Sequence, residues 1–211
     1  MPSANRVTLP EENIDDLIYL ARASELTELQ STLEDLTKQH SCTPTDLLSA
    51  AIEPASGNSL LHYPAANGAI ALVSHLLSLV QPQHAPSSTA TSKPAPQVAQ
   101  ILNHSNASGN TPLHWAALNG HLEVVQALVT AGADPGVRNG AGRDVIVEAE
   151  MSGKEEGVKC AEWLLGSWEG VESGVGGAEV AEGDETSAVD GEGSAGAEIK
   201  EGEHKDEEAS R

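Results

Sequence analysis

The chain has 211 residues, a hydrophobic content of 39%, three Trp, two Tyr, no Phe and a formal net charge of −21. Such a length holds one domain with appended segments, and a core this poor in aromatics suits stacked Ala/Leu/Val helices better than a β-sandwich. So large an acidic excess is repelled by phosphate backbones and anionic membranes, which argues against direct nucleic-acid or membrane binding and for a basic protein as partner.

Residues 1–10 are expected to be disordered. They contain no apolar run behind a basic start, so no secretory signal is expected, and no stretch approaches the length that spans a bilayer. A soluble protein of the cytoplasm and nucleus, monomeric on its own, is the expectation. Cys42 and Cys160 fit a reducing compartment as free thiols. From residue 11 on, Leu17, Leu20, Ala21, Leu26, Leu29, Leu33 and Leu36 recur at helical spacing and predict a divergent capping repeat over 11–42. Thr43-Pro44-Thr45-Asp46 then supplies a capping hydroxyl, a first-turn proline and an acid three residues after the cap, so a short helix lies within 43–53.

Gly57-Asn-Ser-Leu-Leu-His-Tyr-Pro-Ala-Ala-Asn-Gly68, followed by the stripe Ile70, Val73, Leu76 and Leu77, predicts a helix pair over 57–80. Pro64 lies about a turn past the capping residue Ser59, so the first helix of this pair should start late or be distorted. The Pro/Ser/Thr-rich stretch 81–104 has too few apolar residues to join a core and reads as a disordered inserted loop.

Residues 105–137 carry the most specific pattern. Thr111 can cap a helix and Pro112 suits its first position, while Asn119-Gly120 tolerates the positive φ of a tight reversal. Leu122, Val125, Leu128 and Val129 stripe a second helix, which Gly132 ends. With Thr-Pro-Leu-His-x-Ala at 111–116, this segment resembles an ankyrin repeat. Gly57 to Gly68 overlays Gly109 to Gly120 at a displacement of 52 residues, longer than the 33-residue ankyrin period by the inserted loop. One period further on, Gly142, Asp144, Ile146, Ala149, Gly153 and Val158 fall on Gly109, Thr111, Leu113, Ala116, Gly120 and Val125, a degenerate repeat over 138–166. In the capping repeat, Leu26 falls on Leu122, Ser24 on Gly120 and Tyr19 on Trp115. One such pair cannot bury its apolar face alone, so the fold class is an all-α ankyrin-repeat solenoid of about four helix pairs over 11–166.

The chemistry expected is recognition without catalysis. No His pair stands at metal-ligand spacing, and no phosphate-cradling Gly loop, Gly-x-Ser-x-Gly elbow or His-Glu-x-x-His occurs. No metal, no cofactor and no enzymatic activity are expected, and His62 and His114 are expected to bond across their turns. Repeat stacks bind proteins through turn tips and first helices. In this register those positions are Asn58, Ala66, Asn67, Asn110, Leu118, Asn119, Arg143, Met151 and Ser152. Trp115 joins them as a candidate, although packing on the stack is the favoured reading for it and for Tyr63, which shares its position.

A closer resemblance rests on Gly109 to Glu123, Ala133-Asp134-Pro135, Arg138-Asn139, Gly142, Asp144, and Glu148-Ala149-Glu150 followed by Ser152-Gly153-Lys154-Glu155-Glu156, with Ala21-Arg22-Ala23 near the start. Over roughly residues 11 to 165 the chain is similar to small ankyrin-repeat proteins that act as dedicated chaperones of a newly made small-subunit ribosomal protein, the KH-domain-containing third member of that series. The loop after Ser78 is longer and richer in proline than in that pattern. The resemblance implies a basic ribosomal protein as partner and a role in ribosome biogenesis; the runner-up is a general ankyrin adaptor in signalling or transcription.

Residues 167–211 change to Gly, Ala, Glu, Ser and Asp and carry −11 of the −21 charge. Such a segment cannot bury enough surface to offset its ordering entropy, so a disordered acidic tail is expected. Truncation near Gly166 should leave a helical domain that melts cooperatively. Circular dichroism checks this: a large loss of helix or of melting temperature would place the tail within the fold.

Overall fold

Helices in this chain begin where a side chain can cap them and reverse where the backbone can turn left-handed. The computed structural model describes residues 7–81 and 94–167. Among these the order is α1 (Glu11–Ala23), α2 (Leu26–His40), α3 (Pro44–Ala50), α4 (His62–Asn67), α5 (Ile70–Val80), α6 (Pro96–Leu102), α7 (Pro112–Asn119), α8 (Leu122–Thr130), α9 (Val145–Met151) and α10 (Glu155–Ser167). Thr43 and Thr111 each cap a helix whose first residue is proline, accepting the N–H of Asp46 and of His114. Asp144 caps α9 by accepting the Val147 N–H at 3.0 Å.

Each of the four helix pairs reverses through one residue of positive φ: Ser24 at 58°, Gly68 at 71°, Gly120 at 79° and Gly153 at 68°. The capping repeat therefore makes the same turn as its neighbours, with Ser in place of Gly. Helix α4 starts two residues later than its counterpart α7, at His62. Pro64 has no N–H to give the Leu60 carbonyl, so the first turn that α7 forms is not available to α4.

The first helices α1, α4, α7 and α9 pack in sequence as an inner row. Behind them α2, α5, α8 and α10 each pack on the inner helix of their own pair, with α8 touching both α5 and α10. Leu17, Leu29, Leu61, Leu72, Leu76, Leu113, Leu128 and Leu164 are fully buried between the rows. Burying one such side chain contributes about 1.5–3 kcal/mol, and stacking lets each pair bury leucines that it would expose alone.

Two stretches expected to be disordered contain residues that pack on the fold. Residues 7–10 are described, with Leu9 buried at 7% exposure and Val7 packed against the core, because two apolar residues spaced by one can reach the edge of α1's packing layer. The inserted loop is interrupted by α6, whose Val98, Ile101 and Leu102 are buried. Pro96 starts that helix, the apolar triplet at i, i+3 and i+4 forms one face, and Gln97 Nε2 donates to Asp46 Oδ1 of α3 at 3.0 Å. The short helices α3 and α6 thus pair with one another, each preceding a finger, the tight turn that leads into a repeat's first helix (53–58 and 106–110, with 139–143 in the last repeat). Residues 1–6, the remainder of the loop at 82–93 and the acidic segment 168–211 lie outside the described residues.

Of the three glycines at the helix-pair reversals, Gly120 approaches a neighbouring helix most closely. A Cβ there would overlap the Glu156 side chain and come within 3.0 Å of the Glu156 carbonyl carbon on α10, in addition to the strain of positive φ. Gly120→Val should lower stability by more than ~2 kcal/mol, and Gly153→Ala, where nothing lies within 4 Å, by less. Urea denaturation midpoints check both; equal midpoints for the two variants would mean the close approach of α10 is absent in solution.

Candidate partner-binding surface

Buried histidines tie each of two repeats to the next finger. The Ser59 N–H donates to His62 Nδ1 at 3.0 Å, which leaves the proton on Nε2 to donate to the Asn110 carbonyl at 2.9 Å. One repeat later the Thr111 N–H donates to His114 Nδ1 at 3.2 Å, and His114 Nε2 reaches the Arg143 carbonyl at 3.3 Å. Both imidazoles are fully buried. Burial is the main cause that holds them neutral, taking His62 down to about 4 and His114 below its ordinary value. The reading of these two residues as cross-turn structural groups is met in both repeats.

Around them runs a polar network along the rim of the inner row. Asn106 Nδ2 donates to Asn58 Oδ1 at 2.9 Å, and Asn58 Nδ2 donates to Tyr63 Oη at 3.0 Å. Tyr63 in turn donates to Glu53 Oε2 at 2.8 Å, and Arg22 Nη2 donates to Tyr63 Oη at 2.8 Å and to Glu53 Oε1 at 3.0 Å. At the other end Asn139 Nδ2 bridges Asn110 Oδ1 at 2.9 Å and Glu148 Oε2 at 3.0 Å, while Arg143 Nε pairs with Glu148 Oε2 at 2.8 Å.

This network sorts the residues that the sequence put forward. Asn58 is only 2% exposed, with both ends of its amide bonded inside the fold, so it leaves the candidate surface and holds the finger instead. Asn110 and Arg143 are half-buried and committed to the same network. Asn67 donates to the Arg22 carbonyl at 2.9 Å, Asn119 to the Trp115 carbonyl at 3.0 Å, and Ser152 Oγ accepts the Lys154 N–H at 3.2 Å, so all three secure turns. Trp115 meets His62 and Tyr63 edge-on at 5.8 and 5.9 Å and is half-buried, which makes it part of the stack.

What remains open is an apolar row. Ala66 and Leu118 are half-buried and Met151 is 62% exposed, and the three occupy one position in consecutive repeats of the inner row. Extending the register to the capping repeat puts Arg22 in the same row, a residue that sequence reasoning missed along with Glu53. The signal was available for Arg22, because the displacement that sets Leu26 on Leu122 also sets Arg22 on Leu118. Glu53 gave no signal, since it stands outside the helix pairs and is chosen only by where the finger folds. Among the described residues, no group of three or more His, Cys, Asp or Glu is arranged to hold a metal ion, and no helix is long and apolar enough to cross a membrane.

Stacked helix pairs with bonded fingers and a solvent-facing inner row define a repeat solenoid of the protein-binding class. The sequence profile of the ankyrin repeat matches residues 108–140. The ankyrin repeat-containing protein YAR1 of Saccharomyces cerevisiae is 35% identical over 149 residues, covering 70% of this chain and 67% of that protein. The chain belongs to the ankyrin-repeat family. NF-kappa-B inhibitor alpha of Mus musculus is 32% identical over 56% of this chain, but only over 35% of its own length. Among solved structures, the yeast ribosomal protein Rps3 in complex with its chaperone Yar1 matches with a TM-score of 0.60 and 35% identity, over 76% of this chain and 95% of the matched one.

The histidine bridges predict an acid-sensitive fold. Unfolded imidazoles take up protons near pH 6.5, whereas folded His62 does so only near 4, so the stability it gives is present above pH 6.5 and is lost as pH falls towards 4. The slope from one such group reaches at most about 1.4 kcal/mol per pH unit. Melting temperature should fall between pH 7 and pH 5, and His62→Gln should reduce that slope while lowering stability at pH 7. Identical slopes for both proteins would show that His62 is not the proton-excluding group.

Proposed function

We propose that this protein is a dedicated chaperone that holds a basic ribosomal protein on the inner row of its repeats, acting in the cytoplasm and nucleus without catalysing a reaction. The observation that carries the reading is the similarity to Yar1, which spans 95% of the Yar1 chain found in complex with Rps3. Charge supports it independently, since a protein of net charge −21 attracts cationic chains over a Debye length of roughly 8 Å at physiological ionic strength. The apolar row Ala66, Leu118 and Met151 supplies desolvated short-range contacts, and the acidic segment after Ser167 supplies steering. A ribosomal protein before assembly is a basic chain at risk of aggregation and stray RNA contacts, and an acidic cradle screens those cationic patches until rRNA replaces it. A general adaptor in signalling or transcription, the alternative, needs no acidic excess and no basic ligand.

Purified Rps3 or its counterpart from the source of this chain tests the reading. Wild-type protein should keep it soluble and bind it more weakly as salt is raised. Deleting residues 168–211 should slow association and flatten the salt dependence, because it removes about half of the net charge. Leu118→Asp with Met151→Asp should instead speed dissociation by about 10-fold or more, as expected for central apolar contacts. A wild-type protein that neither solubilises the ribosomal protein nor responds to salt would hand the function to the general adaptor.

A further inference from the structure

The recess between Tyr63 and Glu53 is built to receive a guanidinium, and the chain fills it with its own. Arg22 lies 4.5 Å from the centroid of the Tyr63 ring, donates to Tyr63 Oη at 2.8 Å and pairs with Glu53 Oε1 at 3.0 Å. The two sides of this contact differ in how firmly they are held. Glu53 has only 16% of its side chain exposed, and its Oε2 is fixed by Tyr63 Oη at 2.8 Å and by the Ser56 hydroxyl. Tyr63 is fixed by Asn58 and stands edge-on to Trp115. Arg22 comes from the last turn of α1 with its side chain 55% exposed, and among the described residues only its Nη2 is bonded. Solvent screens the charge of the Arg22 guanidinium, which is more than half exposed, so it is the exchangeable member of the contact, while the bonded Tyr63 and Glu53 keep the shape of the recess.

Location gives the exchange a purpose. Arg22 shares its register position with Ala66, Leu118 and Met151, so the recess opens onto the row proposed above to meet the partner. Glu53 Oε1 is bonded to Arg22 alone among the described residues, so it would be left facing solvent when Arg22 swings out. A planar guanidinium can stack on Tyr63 and bond Glu53 together, which the ammonium of lysine, a compact and strongly hydrated charge, does less well.

We propose that the Glu53–Tyr63 recess is a subsite for an arginine side chain of the bound protein, and that Arg22 occupies it as an internal stand-in until the partner displaces it. The inference rests on the proposed partner being a basic protein, and it adds the residue type recognised and a device that competes with binding.

The dissociation constant of the purified ribosomal protein is measured for wild type, Arg22→Ala, Arg22→Ala with Glu53→Gln, and Lys38→Ala. Lys38 is an exposed lysine on α2 paired, among the described residues, with Glu34 and Asp35, so its removal controls for the loss of one positive charge. Arg22→Ala should bind about 3- to 10-fold more tightly than wild type, Glu53→Gln should cancel that gain, and Lys38→Ala should change little. In parallel, N-acetyl-arginine amide should shift the Tyr63 ring resonances of Arg22→Ala more than N-acetyl-lysine amide does. Equal or weaker binding by Arg22→Ala, a gain matched by Lys38→Ala, or no arginine-specific shift at Tyr63 would each overturn the proposal. If wild type fails to bind the ribosomal protein at all, the chaperone reading falls, and the amide titration still decides the subsite on its own.

Discussion

The two-ended hydrogen bonding of His62 and His114 is the constraint on which the stack depends. Each ring closes its own capping turn through Nδ1 and reaches the backbone of the next finger through Nε2, so one side chain sets both the start of a helix and its distance to the following repeat. Only the neutral ring can do both, because a protonated Nδ1 would have to donate where a backbone N–H already donates. Burial keeps the rings neutral, and the same burial makes any loss of the bonds costly. In the last repeat the position of His114 falls to Val147, which bonds to nothing beyond it and is partly exposed, and α9 with α10 closes the described stack.

A division of labour follows along the inner row. Amides and carboxylates near the fingers, from Asn58 and Asn106 through Asn110 and Asn139 to Glu148, bond to one another and hold the fingers in register. Binding a partner then requires little ordering of the fingers, which reduces the entropic cost of association. Side chains near the C-terminal ends of the inner helices, Ala66, Leu118 and Met151, present apolar surface, with Met151 Sδ also accepting from Arg143 Nη1 at 3.3 Å. Two carboxylates beside this row, Glu53 and Glu148, are each neutralised by an arginine of the same chain, Arg22 and Arg143. Among the described residues, acids such as Glu11, Glu12, Asp15 and Asp16 of α1 are exposed to solvent.

The pair α3 and α6 gives this solenoid a feature outside the simple two-helix repeat. Both helices are short, both begin at proline and both lie just before a finger, and they bury apolar faces against one another and the outer layer. A seven-residue helix is not stable by itself. α3 has a complete capping box and so announces itself, whereas α6 has no side-chain cap and exists because α3 offers it a surface.

What the sequence determined by itself was local. Capping hydroxyls, first-turn prolines, the apolar stripes and the places where φ turns positive are set by residues within four positions of one another, so the repeat class, the turn at Gly120, the late start of α4 and even Ser24 in place of glycine were legible without a structure. The acidic excess behind the proposed basic partner was legible too, since it is a sum over residues and needs no coordinates. The tertiary structure alone decided which polar residues are free. Asn58 and Met151 look equally available in sequence, yet one is bonded at both ends inside the rim and the other stands in solvent. Likewise Arg22 meets Glu53 and Tyr63 across separations of 31 and 41 residues, and no local pattern encodes that meeting. Whether a side chain is spent on the fold or left for a partner depends on neighbours that the stacking brings together, and those neighbours are far apart along the chain.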